Sequence, residues 1–321
     1  MKKLIPIAVI LSLAVWSGCS DDPAPTEPPP PPPPVRVVAN TAVGAPTLSS
    51  VDEAIWANVT EFTLDISTQN SPKLPAPASS AVSDSVRVKA IVSGGELYLR
   101  VEYDDNDLNL LKFPYVLQEG GFLNFVSDPT SFEDQLYIMF SGLPNSAYDV
   151  WNWRSLETAP AGLAEGKTLF NDTVLVTDGG AQVVALPNPV FNAWPKWAHK
   201  DSSAFTGEIL YVEDTSGFDR YAGDPGWALG DIIPGYYIDT NVRSNVQITP
   251  QSRWDIFTVS DFDATNNKIT VVLKRKLNTT YSEDLVMADS VQFRIGLFDN
   301  QSDFNLSGSR RGFTDLFWLI L

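Results

Sequence analysis

The chain of 321 residues has few of the side chains that most often bind metals or act as catalytic bases. It contains one cysteine, Cys19, and one histidine, His199. This inventory excludes a disulfide framework, a zinc site of cysteines and histidines, and a cysteine–histidine catalytic pair. It also excludes a covalently attached c-type haem, because the chain has no Cys-x-x-Cys-His sequence. His199 lies in an irregular aromatic segment, and we interpret it as a surface or packing residue rather than a catalytic base.

Basic residues are also scarce. The chain has 22 lysines and arginines against 39 aspartates and glutamates, which gives a net charge of −17. Such an acidic chain is a poor match for nucleic acid or for an anionic membrane surface as a primary partner. Hydrophobic residues make up 44% and aromatic residues 11% of the chain, as in a packed globular domain. We therefore expect a folded protein that works outside the cytoplasm or with a cationic partner, and a binding role is expected more than that of an independent enzyme.

The N-terminus has the pattern of a bacterial lipoprotein signal. Two lysines at positions 2 and 3 precede an apolar run over residues 4–16, and Ser17-Gly18 then lead directly into Cys19. The run is too short to span a bilayer comfortably. The segment therefore predicts a signal peptide over residues 1–18 and a lipid on Cys19. The alternative is ordinary secretion with Cys19 left as a free thiol.

A second segment, residues 19–34, separates the lipid from the rest of the chain. Asp21 and Asp22 resemble the surface-export signal of lipoproteins in the Bacteroidetes group. Residues 23–34 are nearly all proline, which favours an extended polyproline II stalk. The expected location is the outer membrane, with the domain held off the lipid on the periplasmic side or at the cell surface.

Alternating apolar residues predict β-strands along most of the remaining chain. Residues 86–92 alternate, Gly94-Gly95 form a turn, and residues 96–103 alternate back, which is the pattern of a β-hairpin. Further strands are predicted at residues 134–140, 148–154, 252–259, 268–277 and 290–298. The strand at 134–140 is apolar enough to be buried on both faces, whereas residues 155–167, rich in Ala, Pro and Gly, are predicted to form a loop.

The strand spacing predicts an all-β fold, with one antiparallel β-sandwich domain over residues 35–321. Its layering would be of the immunoglobulin or jelly-roll type, with long loops and few short helices. The acidic residues 104–107 that end the hairpin lack the spacing of an EF-hand loop. We interpret them as a solvated turn.

Trp151 and Trp153 form the most unusual local pattern, the sequence Trp-Asn-Trp-Arg at residues 151–154. In a strand, side chains two residues apart point to the same face. A buried indole also needs a partner for its N–H group. Two interpretations remain open: the tryptophans pack in the core of the sandwich, or they form the wall of a pocket for a flat ligand.

Several of these stretches together resemble one family. They are the segments at residues 52–56, 86–105, 133–140, 149–154, 230–235 and 269–277. In this order they are similar to the haem-binding domain of the ethylbenzene dehydrogenase γ-subunit family, which includes the related cytochrome c-552-type domain. The resemblance covers roughly residues 51–321, and the Trp-x-Trp-Arg and Val-Leu-Lys-Arg-x-Leu elements are its most specific parts.

The resemblance implies a β-sandwich that holds a b-type haem between its sheets, with a methionine and a lysine on the iron. Met139 lies on the strand before the tryptophans and is the better methionine candidate, with Met287 as the other. Lys274, in the Val-Leu-Lys-Arg strand, is the lysine that the resemblance implies. The pattern of apolar residues at 269, 271 and 273 places Lys274 on the opposite face of that strand. Trp151 and Trp153 would then contact the cofactor.

Three functions are left open by the sequence. The first is a non-covalent haem b lipoprotein that exchanges electrons with a partner oxidoreductase. The second is a surface-displayed module that binds carbohydrate or another ligand, since tryptophan and tyrosine stack on sugar faces. The third is a structural lipoprotein that has lost its haem ligands.

Overall fold

The computed structural model of the protein describes residues 36–67, 81–105, 109, 115–118, 124–127, 132–155, 158–159, 162–171, 174–179, 184–185, 198–199, 209–210, 232–233, 236–237, 252–299 and 310–321. All of them lie in the compact unit Pro34–Leu321. The predicted leader, Cys19 and the proline stalk lie outside the described residues, as do the Trp194, Trp197 and Trp227 positions. His199 is described only by the backbone of a two-residue strand.

The regular secondary structure of the described residues consists of strands and three short 3₁₀ turns. The strands are β1 (Arg36–Val38), β2 (Phe62–Asp65), β3 (Ser85–Ser93), β4 (Glu96–Asp104), β5 (Tyr115–Gln118), β6 (Asn124–Ser127), β7 (Gln135–Leu143), β8 (Ala147–Arg154), β9 (Leu163–Phe170), β10 (Val174–Thr177), β11 (Val184–Ala185), β12 (Ala198–His199), β13 (Ile209–Leu210), β14 (Ile232–Ile233), β15 (Tyr236–Tyr237), β16 (Ile256–Asp263), β17 (Lys268–Lys276), β18 (Ser290–Asp299), β19 (Arg310–Phe313) and β20 (Phe317–Ile320). The 3₁₀ turns are Ala54–Asn58, Pro144–Ser146 and Ser252–Trp254. No helix in these described segments is long and apolar enough to cross a membrane.

One large sheet forms the body of the domain. Its strand order is β1-β20-β18-β7-β8-β9-β16-β17-β4-β3-β2, with β10 added beside β9 and β19 beside β18. Every pairing is antiparallel except the parallel pair of β1 with β20. Bridges from Asn40 to Ile91 and from Ser67 to Phe313 bring the ends of the sheet together. The sheet therefore folds back on itself into a sandwich, which confirms the predicted all-β fold.

The core lies between the two halves of this sheet, and strand alternation explains which residues enter it. On the predicted hairpin, β3 and β4 pair in the expected register, and Gly94 and Gly95 turn the chain with positive φ values of 61° and 79°. Such angles suit glycine because it lacks a Cβ atom. Alternate residues of the hairpin then pack in the core: Val86, Val88, Ala90, Leu97, Leu99, Val101 and Tyr103.

Trp151 and Trp153 lie in the same core, on the inner face of β8. Both are fully buried, and the Trp151 ring lies 4.9 Å from the Phe140 ring. The structure therefore favours the core interpretation of the Trp-x-Trp pattern. The loop predicted at residues 155–167 was wrong at its end, because β9 begins at Leu163 and its residues 165–169 pair with β8.

Candidate functional site

Met139 lies on the face of β7 that points away from the core. Ile138 and Phe140 enter the core, so Tyr137 and Met139 point outward. The outward face is nevertheless buried, as the sequence predicted for this strand, and Met139 is 0% exposed. We call its apolar cluster the Met139 face: Tyr137, Met139, Val150, Leu169, Phe298 and Phe313.

Aromatic rings surround the thioether on this face. The Tyr137 and Phe298 rings lie 4.7 Å apart, and Phe298 meets Phe313 edge-on at 5.5 Å. Phe313 fits because its cross-strand neighbour is Gly296, where a Cβ atom would lie 2.6 Å from the Phe313 ring. The glycine thus leaves the space that the aromatic ring fills, and any larger residue at 296 would displace it.

A buried polar network adjoins the Met139 face at one end. The Tyr137 hydroxyl donates to Gln135 Oε1 at 2.8 Å, and Asn152 Nδ2 contacts the same oxygen at 3.4 Å. Arg154 Nε donates to Asn152 Oδ1 at 2.8 Å. Because buried polar atoms are costly without partners, this chain of contacts fixes the outward side chains of β7 and β8 in place.

The network ends on Glu165, a carboxylate of β9 that is 1% exposed. It accepts from Arg154 Nη2 at 2.5 Å, from Lys167 Nζ at 2.9 Å and from a guanidinium nitrogen of Arg253. Burial would raise the pKa of Glu165, but Lys167, Arg154 and Arg253 together hold it well below its usual range. The carboxylate therefore stays charged inside the protein.

Cations border the Met139 face on both sides. Lys167 is the cross-strand partner of Val150, which in turn pairs with Met139. On the other side Arg294 pairs with Met139, and Arg311 pairs with Phe298. Arg311 is 1% exposed, and burial lowers the pKa of its guanidinium. The arrangement combines a soft sulfur donor, aromatic contacts and positive charge, which suits an apolar ligand that carries acidic groups.

Lys274 lies elsewhere. It is on the outer face of β17, half-buried, with Nζ 3.1 Å from Glu96 Oε1 and 5.8 Å from the centres of the Tyr98 and Phe257 rings. Strands β8, β9 and β16 separate β17 from β7. Four strand spacings amount to about 19 Å along the sheet. The structure thus does not bring Lys274 to Met139, and it places Trp151 and Trp153 on the opposite face of β8 from Val150.

Sequence analysis did not predict the Glu165 cluster, which consists of Glu165, Arg154, Lys167 and Arg253. The one local indication of it is the pair Glu165 and Lys167, two charges at strand spacing beside Ala164 and Gly166. Small residues around charged ones resemble a loop, whereas here they form a strand buried on both faces. Another member of the cluster, Arg253, is 88 residues away from Glu165 along the chain. No local pattern could have connected the two.

These features define a class of protein: an antiparallel β-sandwich that buries a thioether among aromatic rings and cations on the outer face of its sheet. The ethylbenzene dehydrogenase family matches residues 53–305, and the chain belongs to this family. The resemblance drawn from the sequence motifs is confirmed. No curated protein matches the chain.

Three solved structures also match the chain at low similarity. One is a candidate carbohydrate-binding protein from Bacteroides uniformis, 8% identical, with a TM-score of 0.38 over 90% of this chain and 99% of the other. Another is a family 9 carbohydrate-binding module from Caldicellulosiruptor kristjanssonii in complex with glucose, 10% identical, with a TM-score of 0.36 over 89% of this chain and 95% of the other. The same module in complex with cellotriose gives a TM-score of 0.34 at 10% identity, over 89% of this chain and 93% of the other.

Proposed function

We propose that the protein binds haem b non-covalently at the Met139 face and exchanges electrons with a partner oxidoreductase. The observation that carries the proposal is the buried thioether of Met139 in a member of this family. A thioether is a soft ligand that suits haem iron and favours its reduced state. When bound, the haem would supply one-electron exchange at its iron.

The residues of the Met139 face fit such a group by their chemistry. Met139 would provide the sulfur ligand, and Tyr137, Phe298 and Phe313 the aromatic contacts. Arg311, a buried cation paired across the strands with Phe298, would balance carboxylate charge on the ligand. The polar network from Gln135 to Glu165 would hold the sheet rigid below the ligand.

The proposal rests on Met139 and not on Lys274. The Lys274 ammonium already has a carboxylate partner in Glu96, and about 19 Å of sheet separates it from β7. Met139 and Lys274 would therefore not hold the same haem without rearrangement of the sheet. Lys274 instead serves as the matched control for tests of Met139.

We further propose that the protein is an outer-membrane lipoprotein, attached to lipid through Cys19. The support is the order of basic residues, apolar run and Ser-Gly-Cys at the N-terminus. A stalk of prolines between lipid and domain would keep the electron-transfer surface accessible to a partner protein.

The test is the visible spectrum of the purified full chain after expression with ample haem. We expect a Soret band that shifts on reduction, and extraction of the haem into acidic organic solvent, because no Cys-x-x-Cys-His sequence attaches it to the chain. A colourless protein would overturn the haem proposal. If its tryptophan fluorescence then responded to glucose or cellotriose, the carbohydrate-binding alternative would replace it. Among the residues whose burial is described, Tyr148, Tyr281 and Trp318 are the half-buried tyrosine and tryptophan residues that a sugar could contact.

A further inference from the structure

A buried group of carboxylates surrounds Arg275 at one end of the core. Arg275 reaches inward from β17, forms an ion pair with Asp149 of β8, and lies 4.9 Å above the Trp151 ring. Its Nη1 atom is also 3.5 Å from Asp284 Oδ1. Asp284 belongs to residues 278–289, which form most of the connection between β17 and β18. The Arg275 guanidinium thus links strand β8 to the connection between β17 and β18.

Asp255, just before β16, lies against the same connection. The carboxyl groups of Asp255 and Asp284 are within hydrogen-bonding reach of each other. Both oxygens of Asp255 and Oδ2 of Asp284 are buried, and none of them has a hydrogen-bond partner among the described residues. Two ionised carboxylates in contact would repel, and each would lack a donor. One shared proton removes the repulsion and supplies the missing hydrogen bond.

A metal ion is the other way to neutralise adjacent carboxylates. The described segments contain no group of three or more His, Cys, Asp or Glu side chains placed to hold one. The contact between Asp255 and Asp284 involves only two carboxyl groups, which is the number a single proton bridges. The geometry therefore favours a proton.

We propose that Asp255 and Asp284 share a proton that fastens the connection at residues 278–289 to the end of the sandwich, and that loss of this proton releases it. The contacts that would open all centre on Asp284 and its neighbour. Ser252 Oγ donates to Asp284 Oδ1 at 3.0 Å, and the Leu285 backbone N–H donates to Asp149 Oδ2 at 2.8 Å. Leu285 also packs against the main core. Release would uncover the end of the core that Arg275 and Trp151 occupy.

The charged groups around Asp255 come from several elements. Arg275 and Asp149 face it from the strands, Asp284 from the connection, and the pKa of Tyr281 is raised by burial and by the charges of Asp255 and Asp284. Burial raises the pKa of Asp255; Arg275 opposes this, and Asp284 and Asp149 add to it, for a value of about 8. The proton is therefore retained at neutral pH in the closed form.

The direction of the pH effect follows from linkage. The closed form binds the proton up to about pH 8, whereas a released aspartate ionises near pH 4. The open form is therefore favoured progressively as pH rises from about 4 to about 8, by at most about tenfold per pH unit, and the effect levels off above pH 8.

Hydrogen exchange of residues 278–289 in the full chain tests the proposal. Wild type and Asp255→Asn are compared at the same pH, between 5 and 8, so that intrinsic exchange cancels. The asparagine can donate to Asp284 at every pH. We expect the ratio of wild-type to variant exchange to rise across this range, by up to about tenfold per pH unit. Asp289→Asn, an exposed change in the same connection, should leave the wild-type profile unchanged.

A ratio that stays constant with pH would overturn the proposal, and so would an equal effect of Asp289→Asn. If Asp255→Asn does not fold, Asp284→Asn serves instead, because it also removes the carboxylate repulsion and should give pH-independent exchange. A parallel experiment with added calcium distinguishes a shared proton from a bound metal ion. Protection that rises on addition of calcium and falls with a chelator would show that the acids hold a cation, and would refute the shared proton.

Discussion

Arg275 and Asp149 form a two-pronged ion pair across the core of the sandwich, with Nη1–Oδ1 at 3.0 Å and Nη2–Oδ2 at 2.5 Å. Both side chains are 0% exposed. Their strands, β17 and β8, are not neighbours in the sheet order, so the pair joins the two halves of the folded sheet. Burial would lower the pKa of Arg275, but the carboxylates of Asp149, Asp284 and Asp255 raise it above its ordinary value. Arg275 therefore stays charged at all pH values where the protein folds.

Removing one partner of this pair should be strongly destabilising. Arg275→Met leaves the Asp149 carboxylate buried without its cation, and we expect a loss of about 3–5 kcal/mol in the free energy of unfolding. Asp149→Asn in the same chain should recover part of the loss, because the unpaired charge is then gone. Urea denaturation measures both. The neighbouring half-exposed pair is the control: Lys274→Gln should cost about 1 kcal/mol or less. Equal losses at 275 and 274 would contradict this account.

Glu165 should control stability on the acid side. Its pKa lies below the usual 4.5, so its stabilising charge is present above that pH and is lost as pH falls below it. Glu165→Gln leaves three buried cations without their shared carboxylate, and should cost about 3–5 kcal/mol at pH 7. The difference between variant and wild type should shrink as pH is lowered below 4.5. Glu61→Gln, at an exposed ion pair, is the control and should cost about 1 kcal/mol or less at pH 7.

Local patterns predicted those parts of the fold that depend on neighbouring residues. The alternation of residues 86–103 and the Gly94-Gly95 turn identified a hairpin because cross-strand contacts repeat every second residue. The apolar strand at 134–140 correctly indicated burial on both faces. Both signals depend only on residues that are close together in the chain, so the sequence alone is enough to detect them.

The candidate site depended on contacts that no local pattern records. Arg275 and Asp149 are 126 residues apart in the chain, and each alone resembles an ordinary surface charge. The face to which Lys274 points was predicted correctly as opposite to Leu273, but its distance from Met139 depends on the order of strands in the sheet. The alternation of apolar and polar residues predicts on which face of its strand each side chain lies. The order of the strands in the sheet instead depends on pairing between distant parts of the chain.

Met139 should be the residue whose loss changes the haem spectrum. Met139→Leu keeps apolar volume but removes the sulfur, so the Soret band expected of the full chain should be lost or shifted. Met287→Leu is the matched control, since Met287 is buried in the main core and not on the Met139 face. Lys274→Gln should also leave the spectrum unchanged. A spectrum that responds to Lys274→Gln but not to Met139→Leu would show that the haem is bound elsewhere.

Cys19 should determine where the protein is found. The signal over residues 1–18 predicts that Cys19 becomes the lipid-bearing first residue. Cys19→Ser removes the thiol to which lipid is attached, so the protein should move from the membrane fraction to the soluble fraction. Fractionation with an antibody against the chain measures this. A Cys19→Ser protein that stays in the membrane fraction would refute the lipid anchor.

Asp178 should make the protein less stable as pH rises toward neutrality. The side chain is 7% exposed, and its Oδ1 accepts from Thr168 Oγ1 at 2.9 Å. Burial raises its pKa; Thr168 opposes this and Asp149 adds to it, for a value of about 7. In the unfolded chain the group ionises near pH 4. The folded form therefore binds the extra proton between about pH 4 and 7, and stability falls across that range.

Asp178→Asn should remove this loss, because the amide is neutral at every pH and its oxygen can still accept from Thr168. We expect the variant to be more stable than wild type by about 1–3 kcal/mol at pH 8 and equal to it near pH 4. Urea midpoints measured at intervals of one pH unit give the comparison. Asp263→Asn, on an exposed turn, is the control and should show no gain at pH 8. A constant difference between Asp178→Asn and wild type at all pH values would mean that Asp178 does not titrate in this range.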